Sequence, residues 1–235
     1  MLERAGAVAL ISGASRGIGA AIARKLLSDG WRVSLGARTP TDLDQVAQAS
    51  ETVLHSRYDA EAAGSDQAWI EETLSQWGRI DAVVNNAGVV LPFTVEDADE
   101  ANLDRTFEIN VKAPLRLARL ALPHLRNSSA GRIINISSLS GKRVKNDNVA
   151  YAMSKHAVVA MTHALRKAGW DDGVRASVIC PSFVRTDLTS EVTKIAQDDM
   201  TSPEDLAELV GTVLRLPNEA NVAELIVNCR CEDLY

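Results

Sequence analysis

The sequence predicts a single α/β domain: a doubly wound parallel β-sheet flanked by helices on both faces. Three observations predict it. Strand-like apolar runs alternate with helical-period segments along the whole chain. Most of the strand runs are short and nearly continuously apolar, as expected for parallel strands covered on both faces. The first strand run also passes through a glycine-rich turn directly into a helical segment.

Taken in order, the first unit is a strand over 7–12 and a helix over 17–28, with Gly30 as its C-cap. A strand over 32–36 and a helix over 42–49 follow. The third unit pairs a strand over 52–58 with a helix over 66–77, which Gly78 closes. The fourth pairs a strand over 82–85 with a long helix over 102–126. The fifth pairs a strand over 132–137 with an alanine-rich helix over 151–168. The sixth pairs a strand over 175–180 with a helix over 203–216, where Ser202-Pro203-Glu204-Asp205 reads as an N-cap, a proline at N1 and acids in the first turn. A final strand is expected over 224–228. There is no linker, repeat or low-complexity tract, so 1–235 is expected to form one domain with right-handed crossovers. Ligands of such sheets bind at the carboxyl ends of the strands.

At 235 residues the chain suits one core, and 46% hydrophobic content suffices for a sheet buried between helix layers. A net charge of −6 and a pI near 5.3 argue against a nucleic-acid or membrane-surface partner. No segment approaches the ~20 apolar residues of a membrane span. The opening Met1-Leu2-Glu3-Arg4 leads directly into a strand, so no leader is expected. Cys180, Cys229 and Cys231 are an odd set, expected as free thiols in a reducing cytoplasm. The four histidines match no metal-ligand spacing, so no metal is expected; His55, His124 and His163 read as surface or packing residues.

The turn after the first strand reads Ser12-Gly13-Ala14-Ser15-Arg16-Gly17-Ile18-Gly19. Glycines serve where backbone turns sharply and approaches a pyrophosphate closely, and a helix N-terminus offers free N–H groups and partial positive charge to phosphate. This points to a nucleotide, held by Gly13, Ser15, Arg16, Gly17, Ile18 and Gly19. The second strand ends Gly36-Ala37-Arg38. An NAD-type site usually places an acid here for the ribose 2′-hydroxyl. Ala37 cannot serve, whereas Arg38, with Arg16, can pair a 2′-phosphate. NADP(H) is therefore expected over NAD(H).

Downstream lie Ser138-Leu139-Ser140-Gly141 and Tyr151-Ala152-Met153-Ser154-Lys155. Tyr151 and Lys155 share one face of a helix (155 − 151 = 4). An ammonium beside a phenol favours the phenolate, so the Tyr151 pKa is expected to fall from its ordinary ~10 and the phenol to trade a proton with a substrate oxygen. A serine hydroxyl in the same pocket can hydrogen-bond that oxygen.

In this order, the 12–19 loop, Asn85-Asn86-Ala87-Gly88, Asn110, and the Ser138, Tyr151 and Lys155 set resemble the short-chain dehydrogenase/reductase family over nearly the whole length. The resemblance implies a Rossmann-type fold and hydride transfer between a nicotinamide and a carbonyl or alcohol carbon. By position it implies Tyr151 as acid and base, Lys155 tuning it and holding the nicotinamide ribose, Ser138 orienting the substrate oxygen, and Asn110 anchoring a water that links Lys155 to solvent. Ser138 fits the family's serine better than Ser137, which points to the opposite face of its strand; Ser140 is a second pocket hydroxyl. Asp59 is assigned to the adenine, Asn86, Ala87 and Gly88 to the sheet and cofactor edge, and Pro181 and Thr186 to the carboxamide. The stretch 183–199 is expected to be the substrate lid, with Phe183, Leu188, Val192 and Ile195 as its apolar wall.

Two departures stand out. Ser182 replaces the family's usual glycine after Pro181, where a different loop path is expected, and the common Val-Asp-Gly-Gly ending is absent. The segment 221–228 is similar to that of bacterial reductases of small hydroxy acids, semialdehydes or broad carbonyl substrates. Lys142, Arg143 and Lys145 are either a solvated loop or an attractor for an anionic substrate. A homodimer or homotetramer is implied, formed through the 102–126 and 151–168 helices, although Ala157, Ala160 and Ala164 would equally pack on the sheet. An NADPH-dependent carbonyl reductase leads. An NAD(P)+-dependent alcohol or hydroxy-acid dehydrogenase, or a non-catalytic NADP(H) sensor, stand as alternatives.

Overall fold

Leu10 and Ile11 set the layering of the molecule. Neighbours on a strand point to opposite faces, so each fully buried side chain enters a different core. The computed structural model of the protein describes residues 1–232. Its strands are β1 (Val8–Ser12), β2 (Arg32–Ala37), β3 (Val53–Arg57), β4 (Ala82–Asn85), β5 (Arg132–Ile136), β6 (Arg175–Pro181) and β7 (Glu224–Val227). All pair in parallel as one seven-stranded sheet in the order β3-β2-β1-β4-β5-β6-β7. The central strands β1, β4 and β5 are buried at every residue, which accounts for their continuous apolar runs.

Helices α1 (Gly17–Ser28) and α6 (Pro203–Arg215) cover one face, packing Ile22, Leu26, Leu206 and Val210 over Ile11 and Leu35. Helices α2 (Ser65–Trp77), α4 (Ala113–Asn127) and α5 (Val149–Gly169) cover the other, packing Trp69, Leu117, Leu125 and Val158 over Leu10, Val83 and Ile133. Each such side chain fully buried contributes roughly 1.5–3 kcal/mol. Asn148 caps α5 by accepting from the Tyr151 N–H, and Ser202 caps α6 by accepting from Asp205 N–H, the latter as read from sequence.

Two expected helices differ. Instead of a helix over 42–49 there is a 3₁₀ turn at Pro40–Leu43 followed by irregular chain. Leu43 and Val46 still reach the core, but the Gln45 and Ala47 carbonyls are taken by Arg24 and His55 rather than by a next helical turn. A segment this short does not offset its own nucleation cost. The long helix over 102–126 is divided into α3 (Ala101–Phe107), a π-helical stretch at Glu108–Lys112, and α4. Pro114 stands one turn after Asn110 and has no N–H, so the Asn110 carbonyl lacks its α-helical donor. The ladder shifts there instead, with Ala113 N–H reaching the Glu108 carbonyl. No helix among the described residues is long and apolar enough to cross a membrane.

Candidate active site

The carboxyl ends of β1, β4, β5 and β6 carry most of the predicted residues, while Arg38 follows β2 and Asp59 follows β3. At β1 the glycine turn is clamped by the strand beside it. The Ser12 hydroxyl accepts from the backbone N–H groups of Asn86 and Ala87 (3.0 and 3.1 Å), and the Asn86 amide donates to the Ser12 and Gly13 carbonyls (3.0 and 3.1 Å). Gly13 has φ +64°, and a Cβ there would lie 2.9 Å from the Ala87 Cα. A Cβ on Gly19 would lie 2.4 Å from the Gly13 carbonyl oxygen. Both glycines therefore permit close contact of backbone with backbone. Gly13→Ala is expected to lower nicotinamide-dinucleotide affinity about tenfold or more and to cost about 1–3 kcal/mol, read by fluorescence titration and a thermal melt.

The loop ends at the start of α1. Arg16 is its N-cap residue with no side-chain cap bond, and the first turn carries no acid. The amino end of α1 thus has no side-chain cap from Arg16, and its dipole favours an anion. The Thr186 methyl approaches Gly17 from across the groove, and Arg16 pairs with Asp187 at 3.1 Å, both largely exposed. Ser15 offers its carbonyl to Gln45, and Ile18 packs against the core. Arg38, at the end of β2, is exposed and makes no ion pair among the described residues. The Asp59 carboxylate accepts from the Glu61 N–H in a turn after β3.

Around Tyr151 the structure assembles the set expected from sequence. The Lys155 side chain is buried at 7% exposure, donates to the Ile136 carbonyl (3.1 Å), and places Nζ 5.5 Å from the Tyr151 ring centroid. Burial pulls its pKa down to about 8. Asn110 is 2% exposed and engaged through both side-chain ends: Oδ1 accepts from Val89 N–H (2.8 Å), and Nδ2 donates to the Val89 carbonyl (3.0 Å) and Ser154 hydroxyl (3.1 Å). It thereby ties the chain beyond Gly88 to α5. Asn148 does the same one step along, donating to the Leu91 carbonyl (2.9 Å).

The expected lowering of the Tyr151 phenol is not what the geometry gives. Burial pushes its pKa up, and the Ser138 hydroxyl beside it only partly opposes this. Lys155 has turned its ammonium toward Ile136 and the ring face instead. Ser138 is placed by its own turn, its hydroxyl accepting from the Ser140 N–H (3.1 Å). Ser137 does face the other way, donating to the Lys155 carbonyl (2.9 Å).

In the 183–199 stretch, Phe183 is partly buried under the Lys194 ammonium (5.0 Å) and Val192 is partly buried. Ile195 turns into the protein, whereas Leu188 stands 62% exposed. Ser182 has an ordinary negative φ, so its backbone needs none of glycine's freedom. Its hydroxyl donates instead to Glu232. The basic loop is solvated over 144–147, but its cations are paired: Lys142 with Glu224 (2.8 Å), and Arg143 and Lys145 with Glu232. Sequence reasoning missed Ser12, Asn148, Ser154 and Glu232. Asn148 carried a local signal as a cap ahead of a helix, but Glu232 carried none.

The short chain dehydrogenase family model matches residues 7–214. Agropine synthesis reductase from Rhizobium rhizogenes is 43% identical over 230 residues, covering 97% of this chain and 54% of that protein, so the chain spans about half the length of this relative. Uncharacterized oxidoreductase SSP0419 from Staphylococcus saprophyticus is 34% identical, covering 97% of this chain and 99% of its own length. Among solved structures, the 3-ketoacyl-(acyl-carrier-protein) reductase from Brucella melitensis complexed with NADH superposes with a TM-score of 0.86 at 25% identity, covering 96% of this chain and 98% of that one. The alcohol dehydrogenase from Thermococcus sibiricus complexed with 5-hydroxy-NADP superposes with a TM-score of 0.85 at 29% identity, covering 94% and 95%. With this fold, this clamped glycine loop and the family match across most of its length, the chain belongs to the short-chain dehydrogenase family of oxidoreductases.

Proposed function

We propose that the protein is an NADPH-dependent carbonyl reductase in which Tyr151 is the proton donor. The observation that carries this reading is the convergence of Ser138, Tyr151 and Lys155 at the carboxyl end of the sheet, next to a helix amino end open to phosphate. A reduced nicotinamide bound along the 13–19 loop would supply a hydride to the carbonyl carbon. Tyr151 gives its hydroxyl proton to the carbonyl oxygen and is left as phenolate. The phenol is protonated at neutral pH and so enters the reaction as the donor; burial makes it a weaker acid, which the Ser138 hydroxyl opposes. Ser138 donates to the same oxygen as charge develops on it. The Lys155 ammonium stabilises the phenolate that follows. Asn110 keeps the strand-end loop and α5 in register and anchors the proton path from Lys155 to solvent. Gly13, Gly17 and Gly19 let the pyrophosphate approach, Asp59 meets the adenine, Asn86, Ala87 and Gly88 edge the cofactor, and Pro181 and Thr186 hold the carboxamide. Ser140 and Phe183 face the substrate, and Leu188 closes over it when the lid moves.

The unpaired Arg38 supports NADPH over NADH, with Arg16 joining once it exchanges Asp187 for the 2′-phosphate. An exposed pair of this kind is worth ~0–1 kcal/mol and is easily exchanged. Arg38→Asp is expected to weaken NADPH binding about tenfold to a hundredfold and leave NADH nearly unchanged; an unaltered NADPH/NADH ratio in parallel titrations removes Arg38 from this role. Ala160 and Ala164 on α5 are exposed rather than packed on the sheet, which supports a homo-oligomer formed by close approach of this helix to a second copy.

The reading is tested by following absorbance at 340 nm with NADPH and a panel of aldehydes, ketones and 3-oxo acids. Oxidation of NADPH by at least one carbonyl is expected. Tight NADPH binding with no turnover on any of them favours a sensor.

A further inference from the structure

Glu232 lies beyond β7, and its side chain is 2% exposed. A carboxylate buried so deeply requires partners. It has the Ser182 hydroxyl, the Arg143 guanidinium, the Lys145 ammonium at 3.5 Å and the Arg230 guanidinium at 3.7 Å. Burial acts to raise the Glu232 pKa; the Ser182 hydrogen bond and the three cations outweigh it and hold the acid below its ordinary value. Three cations thus face one carboxylate in a pocket walled by two elements of the candidate active site. Arg143 donates its N–H to Leu139 in the turn that carries Ser138, and Ser182 follows Pro181 at the end of β6.

The fit is incomplete. Arg143 is 11% exposed and reaches Glu232 through one terminal nitrogen, while its Nε is buried with no acceptor among the described residues. A guanidinium binds a carboxylate best through two parallel N–H groups, and a buried unused donor is destabilising. An acid tethered to the chain uses half of this fork. A free carboxylate has no such tether.

Resting on the reductase reading, we propose that Arg143, Lys145 and Ser182 form a recognition site for a carboxylate carried by the carbonyl substrate, and that Glu232 is its internal occupant. The substrate class is then a carbonyl compound bearing a carboxylate, which displaces Glu232 as it enters. The site's apparent affinity is reduced by the fraction of molecules in which Glu232 fills it.

The test compares 4-formylbenzoate with its neutral methyl ester, each titrated calorimetrically into the full chain with NADP+ present. Glu232→Gln is expected to tighten the acid about tenfold and leave the ester unchanged. Adding Arg143→Gln should remove that gain. If this double variant melts below the assay temperature, Lys145→Gln, on an exposed side chain, should lower acid affinity about threefold instead. The proposal is overturned if acid and ester respond alike to Glu232→Gln, or if that change lowers the melting temperature without moving acid affinity, which would make Glu232 a staple of the tail. Failure of the reductase reading registers separately, as no NADPH oxidation with either probe, and leaves the calorimetric comparison standing.

Discussion

Tyr151→Phe is expected to lower turnover by ~10²–10⁴-fold while NADPH still binds with its original affinity. The substitution removes one oxygen and keeps the ring on which Lys155 rests, so α5 and its Asn148 cap should be undisturbed. What is lost is the phenol proton held beside Ser138. Ser138 and the bound hydride donor would still polarise and attack the carbonyl, but the oxygen would have to find its proton in water. Single-turnover kinetics at 340 nm, with NADPH binding measured by fluorescence, separate the two effects. Near-normal turnover would sink the assignment of Tyr151, and loss of NADPH binding alongside turnover would make the residue structural.

Lys155→Met should abolish activity and make the protein more stable. The buried ammonium is held at about 8 rather than the ordinary 10.5, which corresponds to about 3 kcal/mol at most of destabilisation while it stays charged. Methionine removes that cost and leaves the Ile136 carbonyl without its donor, at about 1 kcal/mol or more. A net gain of about 1–2 kcal/mol, or roughly 2–6 °C in melting temperature, is expected. The sign shows in the pH dependence. Below about pH 8 Lys155 is protonated in both folded and unfolded chains, and the full cost applies. Between about 8 and 10.5 the folded protein has released the proton and the unfolded chain still holds it, so stability from this group rises with pH. Thermal melts across this window should converge for wild type and variant as pH rises. A constant gap between them would mean that Lys155 is not the buried charge inferred here.

Much of the architecture was legible because parallel strands buried on both faces leave continuous apolar runs, and because caps such as Ser202 and Gly78 act locally. The helix expected over 42–49 is too short to offset its nucleation cost, and Arg24 claims the Gln45 carbonyl that it would have used. The π-helical turn at Asn110 was visible in principle, as Pro114 one turn later cannot donate. The glycine loop was readable because its constraint lies in consecutive residues, and Ser138, Tyr151 and Lys155 because they occur in a family's order. The direction of the Tyr151 pKa was not readable. Spacing places an ammonium near a phenol but says nothing of how deeply both are buried or where the ammonium turns. Glu232 was invisible for a similar reason, because apart from Arg230 its partners are distant in the chain, on the Ser138 loop and at the end of β6.

The clamp between Asn86 and the first glycine turn bears on how the chain acquires its shape over time. The turn at Ser12 and Gly13 is made early in synthesis, yet the amide that fixes its carbonyls arrives only with β4, after two further crossovers. Closing so long a loop is entropically slow, and non-local parallel pairing of this sort delays folding. The phosphate-gripping surface should therefore mature only when β4 docks beside β1. A ribosome-tethered chain halted before Asn86 is then expected to show a nascent first βα unit with no affinity for a dinucleotide, and one extended well past β4 should be the first to gain it.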